Sequence, residues 1–198
     1  MSSPEAVTLT DAVAASLREA CAQPLDFAGR IRRGREAISR AVVDGHDLAA
    51  MWRESDPDKR LSGNYRRHQV VTDENFGFTV VVLLWEPGAV TPIHDHDTWC
   101  VFGILQGGLE VTNYTVEDDG KGPIKLSEAG REQVAAGLIG DNREPTTEVH
   151  RVRNVGGERA ISLHVYGNDL TKRTLFGGRE IRVDGKEGCF AFETRPAY

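Results

Sequence analysis

The sequence predicts a mainly β protein, a barrel or two-sheet roll of eight or nine short strands preceded by two or three helices. Three observations lead to that expectation. From Tyr65 onward, short runs of Val, Ile, Leu, Phe and Thr are separated by Gly, Asn, Asp and Pro at the spacing of roughly 8–12 residues typical of all-β chains. Before Tyr65, apolar residues recur at helical intervals instead. The length of 198 residues suits one domain (1–198), with a helical cap over 1–60 and a β-barrel over 65–193.

Taken in order, Leu9, Ala12, Val13, Leu17 and Ala20 mark a first amphipathic helix over Leu9–Ala22, with Thr10 or Asp11 as its cap. Phe27, Ile31, Ala37, Ile38, Ala41 and Val42 mark a second over Leu25–Val43, ending near Gly45. A third, short helix is expected over Asp47–Arg53. The expected strands are Tyr65–Val71, Gly77–Glu86, Trp99–Gln106, Leu109–Val116, Glu132–Leu138, Glu148–Val152, Ala160–Tyr166, Arg173–Val183 and Cys189–Glu193. The polar stretches Glu117–Gly122 and Gly140–Thr147 read as surface connections.

Composition excludes several classes. With 24 basic and 30 acidic residues the formal net charge is −6, which disfavours phosphate backbones and anionic lipid, so no nucleic-acid or membrane partner is expected. The longest apolar stretch, Phe78–Trp85, falls far short of the roughly 18–20 residues of a membrane span. The first ten residues carry no Lys or Arg, unlike a secretory leader, and a cytoplasmic protein is expected. Cys21, Cys100 and Cys189 fit neither a disulfide framework nor a CxxC metal spacing. Oligomeric state is not readable.

The histidines are the informative feature. His94 and His96 form an H-D-H segment after the turn Glu86-Pro87-Gly88, and in extended chain residues two apart point to one face. Such a pair alone is equally well read as surface histidine. His150 opens a later strand, and a third imidazole brought from there would complete a metal-binding set. Ser162, His164 and Tyr166 alternate with Leu163 and Val165, so three polar groups share one strand face, a line able to relay a proton or simply to satisfy itself in the core.

The spacing Gly88, five residues, His94, one, His96, three, Cys100, six, Gly107 resembles the first motif of the cupin family, G(X)5HXH(X)3,4E(X)6G, with Cys100 in place of its glutamate. His150 to Asn154, with Pro145 upstream and Thr147 where a glycine is usual, resembles the second motif. The resemblance implies a cupin double-stranded β-helix, a jelly-roll barrel. It implies a metal ligated by His94, His96 and His150 without the carboxylate, leaving positions for an anionic substrate and dioxygen.

Four segments narrow the resemblance, across Tyr65–Phe176, to the cysteine dioxygenase and 3-mercaptopropionate dioxygenase type thiol dioxygenases. They are Pro92-Ile93-His94-Asp95-His96, His150-Arg151-Val152-Arg153-Asn154, the Ser162, His164, Tyr166 line, and Tyr65-Arg66-Arg67. The resemblance implies Fe(II) as cofactor, O2 as cosubstrate, Ser162, His164 and Tyr166 as the catalytic triad, and a small thiol carboxylate oxidised to a sulfinate. It further implies Arg67 or, as in the 3-mercaptopropionate branch, Arg173 as the carboxylate anchor, with Tyr65 and Trp99 beside the substrate. In mammalian relatives a cysteine at the place of Cys100 is crosslinked to the triad tyrosine, here Tyr166. A crosslink and an ordinary buried thiol are both open. Two rival readings remain: a metal-binding cupin without turnover, and a different cupin metalloenzyme, which would ordinarily keep the glutamate ligand.

Overall fold

The structure is a computed structural model and describes residues 13–19, 22, 25–43, 65–96, 98–118, 120–121, 124–142, 149–167 and 181–183. Residues 13–19 form helix α1, and α2 spans Phe27–Val43. Asp26 caps α2. Its Oδ1 accepts the Gly29 backbone N–H at 2.8 Å, satisfying one of the amide protons that the first helical turn leaves over. The third expected helix lies outside the described residues.

Among the described residues nine strands follow: β1 Tyr65–Asp73, β2 Phe78–Trp85, β3 Cys100–Gln106, β4 Gly108–Glu117, β5 Ile124–Ala135, β6 Ile139–Asp141, β7 Val149–Arg153, β8 Ala160–Tyr166 and β9 Ile181–Val183. They make two sheets, ordered β1-β2-β8-β3-β6 and β7-β4-β5-β9. Residues 90–94 run beside β7, bridging Val90 to Arg153 and His94 to His150. Every pairing is antiparallel except β5 with β9. This is the interleaved order of a double-sheet jelly roll, the mainly β cupin architecture that the motifs imply.

Period-two alternation sorts the first sheet into two faces. Val80, Val82 and Leu84 of β2, Ile161, Leu163 and Val165 of β8, and Val101 of β3 pack against Leu17, Ile38, Ala41 and Val42 of the helices. The alternate residues Leu83, Trp85, Ile104 and Ala160 turn inward and meet Leu109, Val111 and Val134 of the second sheet. All eight residues of β2 and all seven of β8 are buried, because helices cover one face and the second sheet the other. The motif glycines Gly88 and Gly107 both hold left-handed backbone, φ 78° and 72°, at the turns that bracket the histidine segment.

Asn154, the last residue of the second motif, ties the Gly88 turn to the turn that follows β7. Its Nδ2 donates to Trp85 O at 3.0 Å and Glu158 O at 2.8 Å, while its Oδ1 accepts from Gly156 N at 2.9 Å.

Two expectations are corrected. The strand expected over Glu132–Leu138 is the end of a longer one, β5, whose earlier residues are mostly exposed and carry almost no apolar signal after Leu126. The stretch Gly140–Thr147, expected to be a surface connection, instead contributes to β6, which pairs with β3 through Val101, Phe102 and Gly103. The expected strand Cys189–Glu193 lies outside the described residues, as does Arg173–Val183 apart from β9.

Candidate metal centre

His94 and His150 are neighbours across a backbone bridge: His94 N donates to His150 O at 2.9 Å and His150 N to His94 O at 2.8 Å. His96, two residues on, reaches the same point. Ring centroids lie 4.9 Å apart for His94 and His96, 4.5 Å for His94 and His150, and 4.9 Å for His96 and His150, and one ring nitrogen from each lies within 4.8 Å of the others. His96 and His150 are buried and His94 half-buried. Among the described residues this is the one such cluster of His, Cys, Asp and Glu.

The His94 Nδ1 lies 2.9 Å from Pro92 O. A carbonyl only accepts, so that nitrogen carries the proton and Nε2 is the one left to face an ion. Among the described residues the donor set is therefore three imidazoles with no carboxylate or thiolate, chemistry suited to Fe, Zn, Cu or Ni. These residues fit a non-haem iron, without selecting it over the other three.

Cys100, where the first cupin motif has glutamate, opens β3 directly opposite Tyr166 on β8, and the two pack with Val81 in one buried cluster. Its position is clamped by Asn142, a residue that sequence reasoning left in a surface connection. Asn142 Oδ1 accepts the Cys100 N–H at 2.5 Å and its Nδ2 donates to Thr98 O at 2.6 Å. A polar side chain at a strand end is visible in sequence; its partners become visible only with the register.

On β8, Ser162 Oγ lies 2.8 Å from His164 Nε2, and Tyr166 Oη lies 3.2 Å from His164 Nδ1. The Tyr166 ring in turn sits 5.0 Å from that of His96. Burial, reinforced by the charges of His94 and Arg67, pushes His164 down from 6.5 to about 3, so its ring is neutral. Phe102, its cross-strand partner, stacks on it at 5.6 Å. That stack depends on Gly140, across the other side of β3, where a Cβ would stand 2.3 Å from the Phe102 ring. The line has one member that the sequence did not single out: Trp85 Nε1 donates to Ser162 Oγ at 2.9 Å. The signal available was parity, since Trp85 shares a strand face with Leu83, which pairs with Ser162.

Arg67 pairs with Leu83 and so shares the inward face of β1 with Tyr65, whose ring stacks on Trp85 at 5.1 Å. Burial pushes the Tyr65 hydroxyl above its ordinary range, and the Arg67 charge pulls it partly back. The Arg67 Nη2 is buried without a hydrogen-bond partner among the described residues. Arg66 and His68 fall on the opposite face, Arg66 donating to Glu86 Oε1 at 3.0 Å.

Trp99 requires a correction. Expected beside the substrate, it is 4% exposed in the cluster beneath the helices, because alternation around Cys100 sends Trp99 and Val101 to the helix side. Arg173 lies outside the described residues. A cavity of about 730 Å³ opens between the sheets, lined by His96, Cys100, Phe102, Asn142, His150 and His164 among others, a size suited to small-molecule binding.

Sequence comparisons with known proteins agree on one family. The family described as cysteine dioxygenase type I matches residues 17–178. Cysteine dioxygenase type 1 of Rattus norvegicus is 35% identical over 106 residues, 52% of this chain and 51% of that one. The Homo sapiens protein of the same name is 31% identical over 154 residues, 73% of this chain and 75% of that one. The chain thus spans about half the length of the rat relative and three quarters of the human one. Among solved structures, a Cupin 2 conserved barrel domain protein from Salinispora arenicola superposes with a TM-score of 0.42 at 20% identity, covering 58% of this chain and 88% of that one.

Proposed function

The chain belongs to the cysteine dioxygenase type I family, and from that premise we propose that it is a non-haem iron thiol dioxygenase that converts a small thiol carboxylate to its sulfinate. His94, His96 and His150 would hold the iron. When bound, ferrous iron supplies the Lewis acidity that keeps the substrate sulfur as thiolate and the redox chemistry by which both atoms of O2 reach it.

The observation that carries the reading is the Arg67 guanidinium. It is charged, its Nη2 is buried without a partner among the described residues, and its field is felt at His164 beside the histidine cluster. A buried donor without a partner is costly in an otherwise satisfied protein, and a ligand carboxylate meets it with a charge-assisted bond. Tyr65 stands beside Arg67 on the same face. Arg173 is the alternative anchor, the one that would favour 3-mercaptopropionate over cysteine.

Tyr166 is the group best placed to hold a proton near the reacting sulfur, with the neutral His164 ring and Ser162 behind it. Cys100 directly opposite Tyr166 supports a thioether between them, formed with loss of two hydrogens in an oxidation that iron and O2 would drive. We read residues 1–198 as one domain, since helices and strands share one apolar cluster, and the protein as cytoplasmic.

The test is oxygen uptake by protein loaded anaerobically with Fe(II), against cysteine, 3-mercaptopropionate, mercaptosuccinate and cysteamine, with sulfinate quantified. Uptake matched by sulfinate is expected with a thiol carboxylate, and none with cysteamine, which lacks the group Arg67 would hold. Iron-retaining protein that consumes no oxygen with any of them would overturn the reading and favour a cupin that binds without turnover.

A further inference from the structure

Trp85 enters the proton relay from the side away from the histidine cluster, and the chemistry of its indole decides which way that relay points. Ser162 is 0% exposed, and its hydroxyl has one proton to give and lone pairs to receive. The indole Nε1 is a donor only, so at 2.9 Å it fills an acceptor position on Ser162 Oγ. Two arrangements then remain for the 2.8 Å contact between Ser162 Oγ and His164 Nε2. If the serine donates to Nε2, both of its contacts are complementary. If Nε2–H donates to the serine, the hydroxyl accepts twice and neither side-chain partner can take its buried proton, which native interiors avoid.

We propose that Trp85 is a positioning residue of the relay: its N–H commits the Ser162 proton to His164 Nε2, placing the ring proton on Nδ1 and the Nδ1–H on the Tyr166 oxygen. The Tyr166 hydroxyl proton is thereby turned from His164 toward the side where the His96 ring lies 5.0 Å away. Without the indole donor, either serine arrangement leaves one polar site on Oγ unmet, and the two tautomers become comparable. Trp85 is itself held firmly, its ring stacked on Tyr65 at 5.1 Å and its carbonyl gripped by Asn154 Nδ2 at 3.0 Å. The catalytic consequence rests on the thiol dioxygenase reading; the direction of the hydrogen bonds does not.

The experiment reads the His164 tautomer by long-range proton–nitrogen NMR in the full chain loaded with diamagnetic zinc, the signal being assigned by its loss in His164→Gln. Wild-type protein is expected to show Nδ1–H, and Trp85→Phe a mixture of both tautomers, with kcat down roughly tenfold, a part of the usual general acid–base contribution. KM and iron content should hold. Should Trp85→Phe fail to fold, site-specific benzothienylalanine at position 85 carries the test, since it keeps the outline of the indole with sulfur in place of N–H. Nε2–H in the wild type, or unchanged Nδ1–H in both variants, would overturn the proposal, even if those variants were slow. The expected tautomers in a protein that oxidises no thiol would uphold the hydrogen-bond direction and remove the activity.

Discussion

The two sheets contribute to one site in different ways. The first, covered by helices outside and by its partner inside, carries the Ser162, His164, Tyr166 line on a strand buried along its whole length. The second packs its inner face on the first, has β5 largely exposed, and supplies His150 through β7. Ligand placement tolerates this thinner support because the His94–His150 backbone bridge fixes those two rings locally. A hydrogen-bond line has no such local tie and depends on packing from both sides. The difference teaches that metal retention and proton handling should be separable by mutation.

The largest effect expected is at His150. His150→Ala should lose metal and all turnover, measured by metal content and oxygen uptake, and normal metal retention would remove the residue from the ligand set. Next comes Tyr166→Phe, which should keep the metal and lose roughly 10²–10⁴-fold in kcat, the range of a positioned acid or base. Loss of metal there would break the separation. Leu163→Ala, on the helix face of the same strand, should cost about 2–5 kcal/mol in urea unfolding with KM unchanged, as cavity-forming substitutions do. At the other extreme, Glu128 and Arg131 on exposed β5 pair at 2.6 Å, and Glu128→Gln should leave the urea midpoint indistinguishable from that of the wild type, since a solvated pair adds little.

Acid sensitivity sharpens the contrast further. His164 titrates near 3 in the folded chain against an ordinary 6.5, so between those values the unfolded state binds a proton that the folded state refuses. Stability is complete above pH 6.5 and falls on acidification, approaching about 1.4 kcal/mol per pH unit for one such group until pH 3. His164→Gln should flatten that part of the urea-midpoint profile between pH 7 and pH 4. An unchanged slope would mean that the ring accepts its proton in place.

Much of this was legible in the chain itself. The alternation in Ser162-Leu163-His164-Val165-Tyr166 gave a strand with two chemically different faces, and the structure has that division. The three histidines were found by spacing, because the motif glycines and the turn at Gly88 fix where extended chain begins. What stayed hidden depends on register or on exposure. The first part of β5 has little apolar patterning because most of its residues are exposed, and Trp99 was misplaced because its aromatic character says nothing of strand parity. Trp85 and Asn142 look ordinary in sequence; their partners lie on strands distant along the chain, and only pairing reveals them.

The reciprocal bonds between His94 and His150 also bear on the order of events during folding. These residues belong to segments far apart in sequence, and no local turn brings them together, so closing that loop must come before two of the three imidazoles share a point. An ion arriving early would meet only the His94, His96 pair. Metal capture should therefore follow strand docking and seal it, slowing unfolding far more than it speeds folding.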